Sequence, residues 1–97
     1  MTLFAVRYTY DERSGQRDIV RPEHRGYLAQ LADDGLLLGS GPLTDGEPGA
    51  LLVFAAGSRG ELDGLLTDDP FARAGLVAAT EVRTWDLVIG PWASPAS

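Results

Sequence analysis

Few side chains in this sequence can do acid–base chemistry near neutral pH, and they are easy to follow. There is one histidine, His24, and there is no cysteine or lysine. An unperturbed imidazole titrates near neutrality, which makes His24 the candidate proton shuttle. The acidic pair Asp68-Asp69 precedes Pro70 and Phe71. A carboxylate bonded to one ring nitrogen would fix the tautomer and stabilise the protonated ring. Asp before Pro is equally a helix start, with Asp69 as N-cap and Pro70 in the first turn. The two roles are compatible if one oxygen caps and the other meets His24. Asp68 is the less constrained neighbour.

Three further groups qualify as substrate contacts. Ser40 lies in Gly39-Ser40-Gly41-Pro42, which is not a G-x-S-x-G elbow. Serine beside glycine is common turn chemistry, so Ser40 and Gly41 read as backbone contacts to a ligand or neighbouring strand. Arg7 sits among apolar strand residues. It either binds an anionic group or points to solvent near an edge. Phe71 follows the Asp-Pro turn and completes the set. Trp85 and Trp92 are read as core or interface anchors. His24 itself has a bland alternative, a partly buried histidine satisfied by one hydrogen bond.

The elements must bring these residues together. Residues 2–10, rich in aromatic and β-branched types, read as a strand. A helix is expected from about Ile19 or Pro22 to Asp34, with Asp18 as a possible cap and Gly35 as the stop. Within it His24, Leu28 and Leu31 share one face. Residues 36–41 and 50–56 are strands joined through the Asp45-Gly46 turn. Short helices follow over 61–66 and from Asp69-Pro70 to Ala74, and a last strand spans 78–90. The tail 91–97 is expected to be extended or frayed.

The order β-α-β-β-α-β favours a ferredoxin-like α+β fold, one four-stranded antiparallel sheet with helices on one face. Right-handed crossovers make strands 1 and 2 parallel in direction, and likewise strands 3 and 4. His24, Ser40, Gly41, Asp68, Asp69, Phe71, Tyr8 and Tyr10 then fall at one end. Strands 2 and 3 are apolar at consecutive positions, where a sheet with one wet face should alternate. The face without helices therefore needs a cover. A second copy of the chain is the expected one, giving a homodimer or a higher assembly.

The run RPEHRGYLAQLADDGLLLGSGPL, then GALLVFAA, then LLTDDPFARAGLV followed by VRTWD, resembles the YciI-like, or YCII-related, family over about residues 3–90. The resemblance implies a ferredoxin-like fold paired into a dimeric α/β barrel. It also implies a cleft with a His-Asp dyad, which maps here onto His24 and Asp69. One related enzyme type removes HCl from a chlorinated hydroxyquinol with such a dyad. Barrel relatives include muconolactone isomerases and small cofactor-free monooxygenases, so fold alone does not choose the reaction.

Composition narrows the classes. The 97 residues form a single domain, with a core over about 2–90. With 14 acidic residues against 8 arginines the net charge is -6, which argues against a nucleic-acid partner. Without cysteine, and with one histidine, no thiolate or multi-histidine metal site is expected. No phosphate loop or dinucleotide fingerprint appears, so no cofactor is expected. No signal peptide or membrane-length apolar run is visible, and a cytoplasmic location is the expectation. The leading expectation is a cofactor-independent lyase or isomerase acting through His24 and Asp69 on a small molecule. A binding or sensing module without turnover, and a purely structural dimer, are the alternatives.

Overall fold

A computed structural model describes residues 1–93. Its elements are β1 (Thr2–Tyr10), α1 (Ser14–Asp33), β2 (Leu37–Leu43), β3 (Gly49–Ala56), α2 (Arg59–Thr67), α3 (Pro70–Arg73) and β4 (Val77–Thr84). The sheet order is β2-β3-β1-β4, and every neighbouring pair is antiparallel. This is the expected ferredoxin-like α+β arrangement, with the second helical segment split into α2 and α3.

Strand periodicity sorts the two faces. Phe4, Val6 and Tyr8 of β1 alternate inward and meet Ala50, Leu52 and Phe54 of β3. Leu28 and Leu31 of α1, with Leu62 and Leu66 of α2, close over them in one apolar cluster. Positive-φ glycines end helices at Gly35 and Gly75, where a left-handed residue is needed after the last turn.

Strand β2 runs on through Pro42 and Leu43, expected in the connection, because they still pair with Ala50 and Gly49. Boundaries of three further elements also differ from the expectation, each for a physical reason. Helix α1 begins at Ser14, and its N-cap is Arg13 without a side-chain bond. Asp18 is therefore not a cap and pairs with Arg21 instead, while Pro22 lies inside the helix. The extra first turn is held by tertiary contacts. Buried Arg17 donates to the Asp11 carbonyl at 2.6 Å and covers the Tyr10 ring at 4.9 Å. Helix α2 begins at Arg59 rather than residue 61, because Ser58 accepts from the Glu61 amide and Glu61 reaches back to the Gly57 amide. This is close to a capping box. Strand β4 stops at Thr84, because Thr84 already stands opposite Phe4 and Trp85 takes the Leu3 carbonyl. Beyond that point β1 has almost no residues left to pair with.

The remaining chain returns across the face that carries no helices. Trp92 reaches β2, where a Cβ on Gly39 would lie only 3.2 Å from its ring. Together with Ala5, Leu51, Val53 and Trp85 it borders an apolar groove of about 640 Å³ on that face. Leu51 is 45% and Trp92 50% exposed. Of the expected tail, residues 94–97 lie outside the described residues.

Candidate functional site

His24 is placed by α1 and Asp69 by the turn that opens α3. Both are buried, His24 at 7% exposure and Asp69 at 1%. His24 Nδ1 lies 2.7 Å from Asp69 Oδ1. With the carboxylate ionised, Nδ1–H donates and the lone pair of neutral His24 resides on Nε2. Among the described residues no buried side-chain nitrogen or oxygen lacks a hydrogen bond. Nε2 has no protein partner among the described residues, so it opens onto the cleft that His24 lines.

Asp69 carries more than the dyad. Its Oδ1 also accepts from the Phe71 amide at 3.0 Å, which is the N-cap bond of α3. Its Oδ2 accepts from the Tyr8 hydroxyl at 2.9 Å. The expected division, one oxygen for the cap and one for His24, is therefore not what forms. One oxygen does both, and the second is held by Tyr8. Three donors on a buried carboxylate replace the water it has lost and fix its orientation. The Tyr8 phenol is driven up from its ordinary ionisation range by burial first and then by the Asp69 charge, which keeps it a donor. Tyr8 was placed at this end by topology, but no residue pattern marked it as the partner of Asp69.

The ring of Phe71 stacks on His24, with centroids 3.8 Å apart and planes 4° from parallel. Tyr10 meets Phe71 edge-on at 5.6 Å. Burial pushes the Tyr10 phenol up to about 12, with Asp69 adding to the shift and Arg17 and Arg21 opposing it. These aromatic contacts fix the imidazole plane, while the Asp69 carboxylate fixes its tautomer.

The cleft has a volume of about 690 Å³, within the usual range of roughly 300–1,000 Å³ for small-molecule sites. His24, Phe71, Ser40 and Gly41 all line it, so α1, β2 and α3 deliver these expected residues to one place. Ser40 stands opposite Leu52 in the register, which turns its side chain to the helix side of the sheet. Arg7 is not brought here. It stands opposite Leu51 and Glu81 on the other face and borders a smaller hollow near Asp45 and Glu47. Asp68 stays on the surface, 3.4 Å from Arg73. Arg21 and Arg25, which no sequence feature singled out, line the cleft instead. Among the described residues no group of three or more His, Cys, Asp or Glu side chains could hold a metal ion, and no helix is long and apolar enough to cross a membrane.

Fold and site together define a ferredoxin-like α+β protein in which a carboxylate-oriented histidine lines an open cleft. Comparison with known families matches residues 2–86 to the YCII-related domain. The chain belongs to the YCII-related domain family. Among solved structures it is similar to 5-chloro-2-hydroxyhydroquinone dehydrochlorinase (TftG) from Burkholderia phenoliruptrix AC1100, in complex with 2,5-dihydroxybenzoquinone, at 31% identity. That match covers 87% of this chain and 93% of the other, with a TM-score of 0.75. A protein of Agrobacterium tumefaciens matches at 16% identity over 96% of this chain and 97% of its own, with a TM-score of 0.59. A mutant form of SnoaB, a cofactor-independent oxygenase from Streptomyces nogalater, matches at 14% identity over 94% of this chain and 96% of its own, with a TM-score of 0.52. The last two likenesses show the fold alone. No curated protein sequence matches the chain.

Proposed function

We propose that the chain is a cofactor-independent enzyme of the lyase or isomerase type, with His24 as proton carrier and Asp69 as its orienting and charge-stabilising partner. The observation that carries this reading is the 2.7 Å contact from Nδ1 to Asp69, which leaves Nε2 directed at the cleft. Nε2 takes a proton from a substrate carbon or hydroxyl, and the electron pair left behind moves into the substrate. The imidazolium so formed lies against the Asp69 carboxylate, which supplies the opposite charge. In an elimination the substrate's pair expels a leaving group, and the proton can follow it out. In an isomerisation Nε2 returns the proton to a neighbouring atom. Either way the protein ends as it began. The dehydrochlorinase likeness, at 31% identity, supports elimination from a hydroxylated ring as the first chemistry to try.

Phe71, Ser40 and Gly41 are assigned to substrate contact. Arg7, on the far face, is assigned to solvent or to the partner copy. A cytoplasmic site of action belongs to the same proposal and rests on a composition without cysteine. The apolar groove bordered by Leu51, Val53, Trp85 and Trp92 supports a homodimer packed through the sheet faces.

The test is a screen of small carbonyl, lactone and halophenol compounds with His24→Ala as the control. Turnover by the wild type that the variant loses supports the reading. Saturable binding of screen compounds with no turnover in the wild type overturns it in favour of a binding module.

A further inference from the structure

The charged side chains that line the His24 cleft are of one sign. Arg21 and Arg25 border it, and among the described residues no Asp or Glu side chain does. This inverts the balance of the chain, which carries 14 acidic residues against 8 basic. The nearby carboxylate, Asp69, is 1% exposed and is already engaged by three donors. Arg17, Arg21 and Arg25 are spaced by four and so form one stripe along α1. Arg17 is engaged by the Asp11 carbonyl and the Tyr10 ring. Arg21 pairs with Asp18, whose side chain is 68% exposed and lies outside the lining. Such a surface pair is weak and readily exchanged. Arg25 makes no ion pair among the described residues. The cleft floor is apolar, with Leu28, Leu37, Ala50 and Phe71.

We propose that this cleft selects small organic carboxylates, with Arg25 and Arg21 holding the carboxylate at the mouth and the apolar floor taking the ring or chain. The inference deepens the reading of this cleft as the substrate site and rests on it. A guanidinium fork matches a carboxylate in two parallel hydrogen bonds, which a neutral amide of the same shape cannot reproduce. Because both arginines border the same cleft as His24 and Phe71, the part of the molecule next to the anion is expected against Phe71 and Nε2. A carbon alpha or vinylogous to the carboxylate is then the position presented to the base.

His24 gives an internal reporter, since a single histidine yields a single assignable Cε1–H resonance. Benzoate and its neutral isostere benzamide are titrated into the full chain while that resonance is followed by NMR. Benzoate is expected to move it saturably, with at least about tenfold tighter binding than benzamide and weakening as salt is raised. In the Arg21→Gln/Arg25→Gln double variant the benzoate advantage is expected to fall to within about threefold, with benzamide unchanged. Equal binding of the two probes, no saturable shift with benzoate, or an undiminished preference in the double variant overturns the inference. Calorimetry on His24→Asn separates it from the catalytic reading. A chain that prefers benzoate but turns nothing over keeps the anion site and loses the enzyme. One that turns over neutral substrates and ignores benzoate does the reverse.

Discussion

Replacing Tyr8 by Phe removes one oxygen and leaves the ring, so it tests the buried Asp69 hub without opening a cavity. Tyr8 is 2% exposed, and its hydroxyl supplies the one hydrogen bond that Asp69 Oδ2 makes among the described residues. A hydrogen bond to a charged group is worth about 1.5–3 kcal/mol, and a buried acceptor left without a donor costs a similar amount. The expected loss of stability is therefore about 1.5–3 kcal/mol. For a domain of this size each kcal/mol moves Tm by about 4–8 °C, which gives a drop of roughly 6–24 °C. Urea and thermal unfolding of Tyr8→Phe, Asp69→Asn and the double variant form the assay. Asn keeps a capping oxygen but not the charge, so Tyr8→Phe should cost less than about 1 kcal/mol in that background. The pH dependence adds a second reading. An unfolded tyrosine ionises near ~10. Folding raises Tyr10 to about 12 and raises Tyr8 as well. The stability these phenols contribute is complete below pH ~10 and is lost as pH climbs through their folded values, so Tyr8→Phe should flatten the alkaline decline. A cost below about 0.5 kcal/mol, the size of an ordinary surface substitution, or equal costs with and without the Asp69 charge, would refute the hub.

Other substitutions probe separate links. His24→Ala should lower any measured turnover by about 10²–10⁴-fold, the usual worth of general acid–base catalysis, read against retained far-UV dichroism. Gly49→Ala should destabilise by about 1–3 kcal/mol in urea unfolding, because its Cβ would sit 2.3 Å from the Tyr8 carbonyl oxygen, a backbone atom in the central strand. Leu51→Arg, at an exposed position of the apolar groove, should turn a dimer mass into a monomer mass by light scattering at micromolar concentration. A mass that stays the same counts against packing through that face.

Local patterns in the sequence carried the architecture. The run Phe4 to Tyr10, the spacing of His24, Leu28 and Leu31, and the Asp-Pro start at 69–70 each have one short-range explanation, and topology alone put their ends together. Boundaries set by tertiary contact were not legible. The first turn of α1 hangs on Arg17 against Tyr10, and the end of β4 on where β1 runs out. Other signals were present and unused. Ser58 and Glu61 stand at capping-box spacing. Parity separates Arg7 from Tyr8, since adjacent strand residues face opposite ways. Helical spacing likewise places Arg21 beside His24, at i-3, whereas Arg25, at i+1, starts about 100° round the helix. Only the folded chain shows that both reach the cleft, because long arginine side chains span more surface than their Cα positions suggest.

The two readings of Asp69, helix cap or catalytic partner, turn out not to compete. A capping carboxylate accepts from a backbone amide within its own turn, so the cap fixes Oδ1 relative to the backbone of Pro70 and Phe71. The ring at Phe71 stacks on His24, and the oxygen that caps its amide is the one His24 Nδ1 meets. The turn thus sets the plane and the hydrogen-bond direction of the imidazole together. Tyr8 then supplies from the sheet what the turn cannot, a donor for Oδ2. A conventional cap uses one side-chain bond to start a helix. Here a four-residue helix, too short to be stable by itself, is justified by what its first turn orients. Asp69→Ala should therefore loosen α3 and misalign His24 in one step, whereas Asp69→Asn should spare the turn and remove the charge that the imidazolium requires, together with the acceptor of Tyr8.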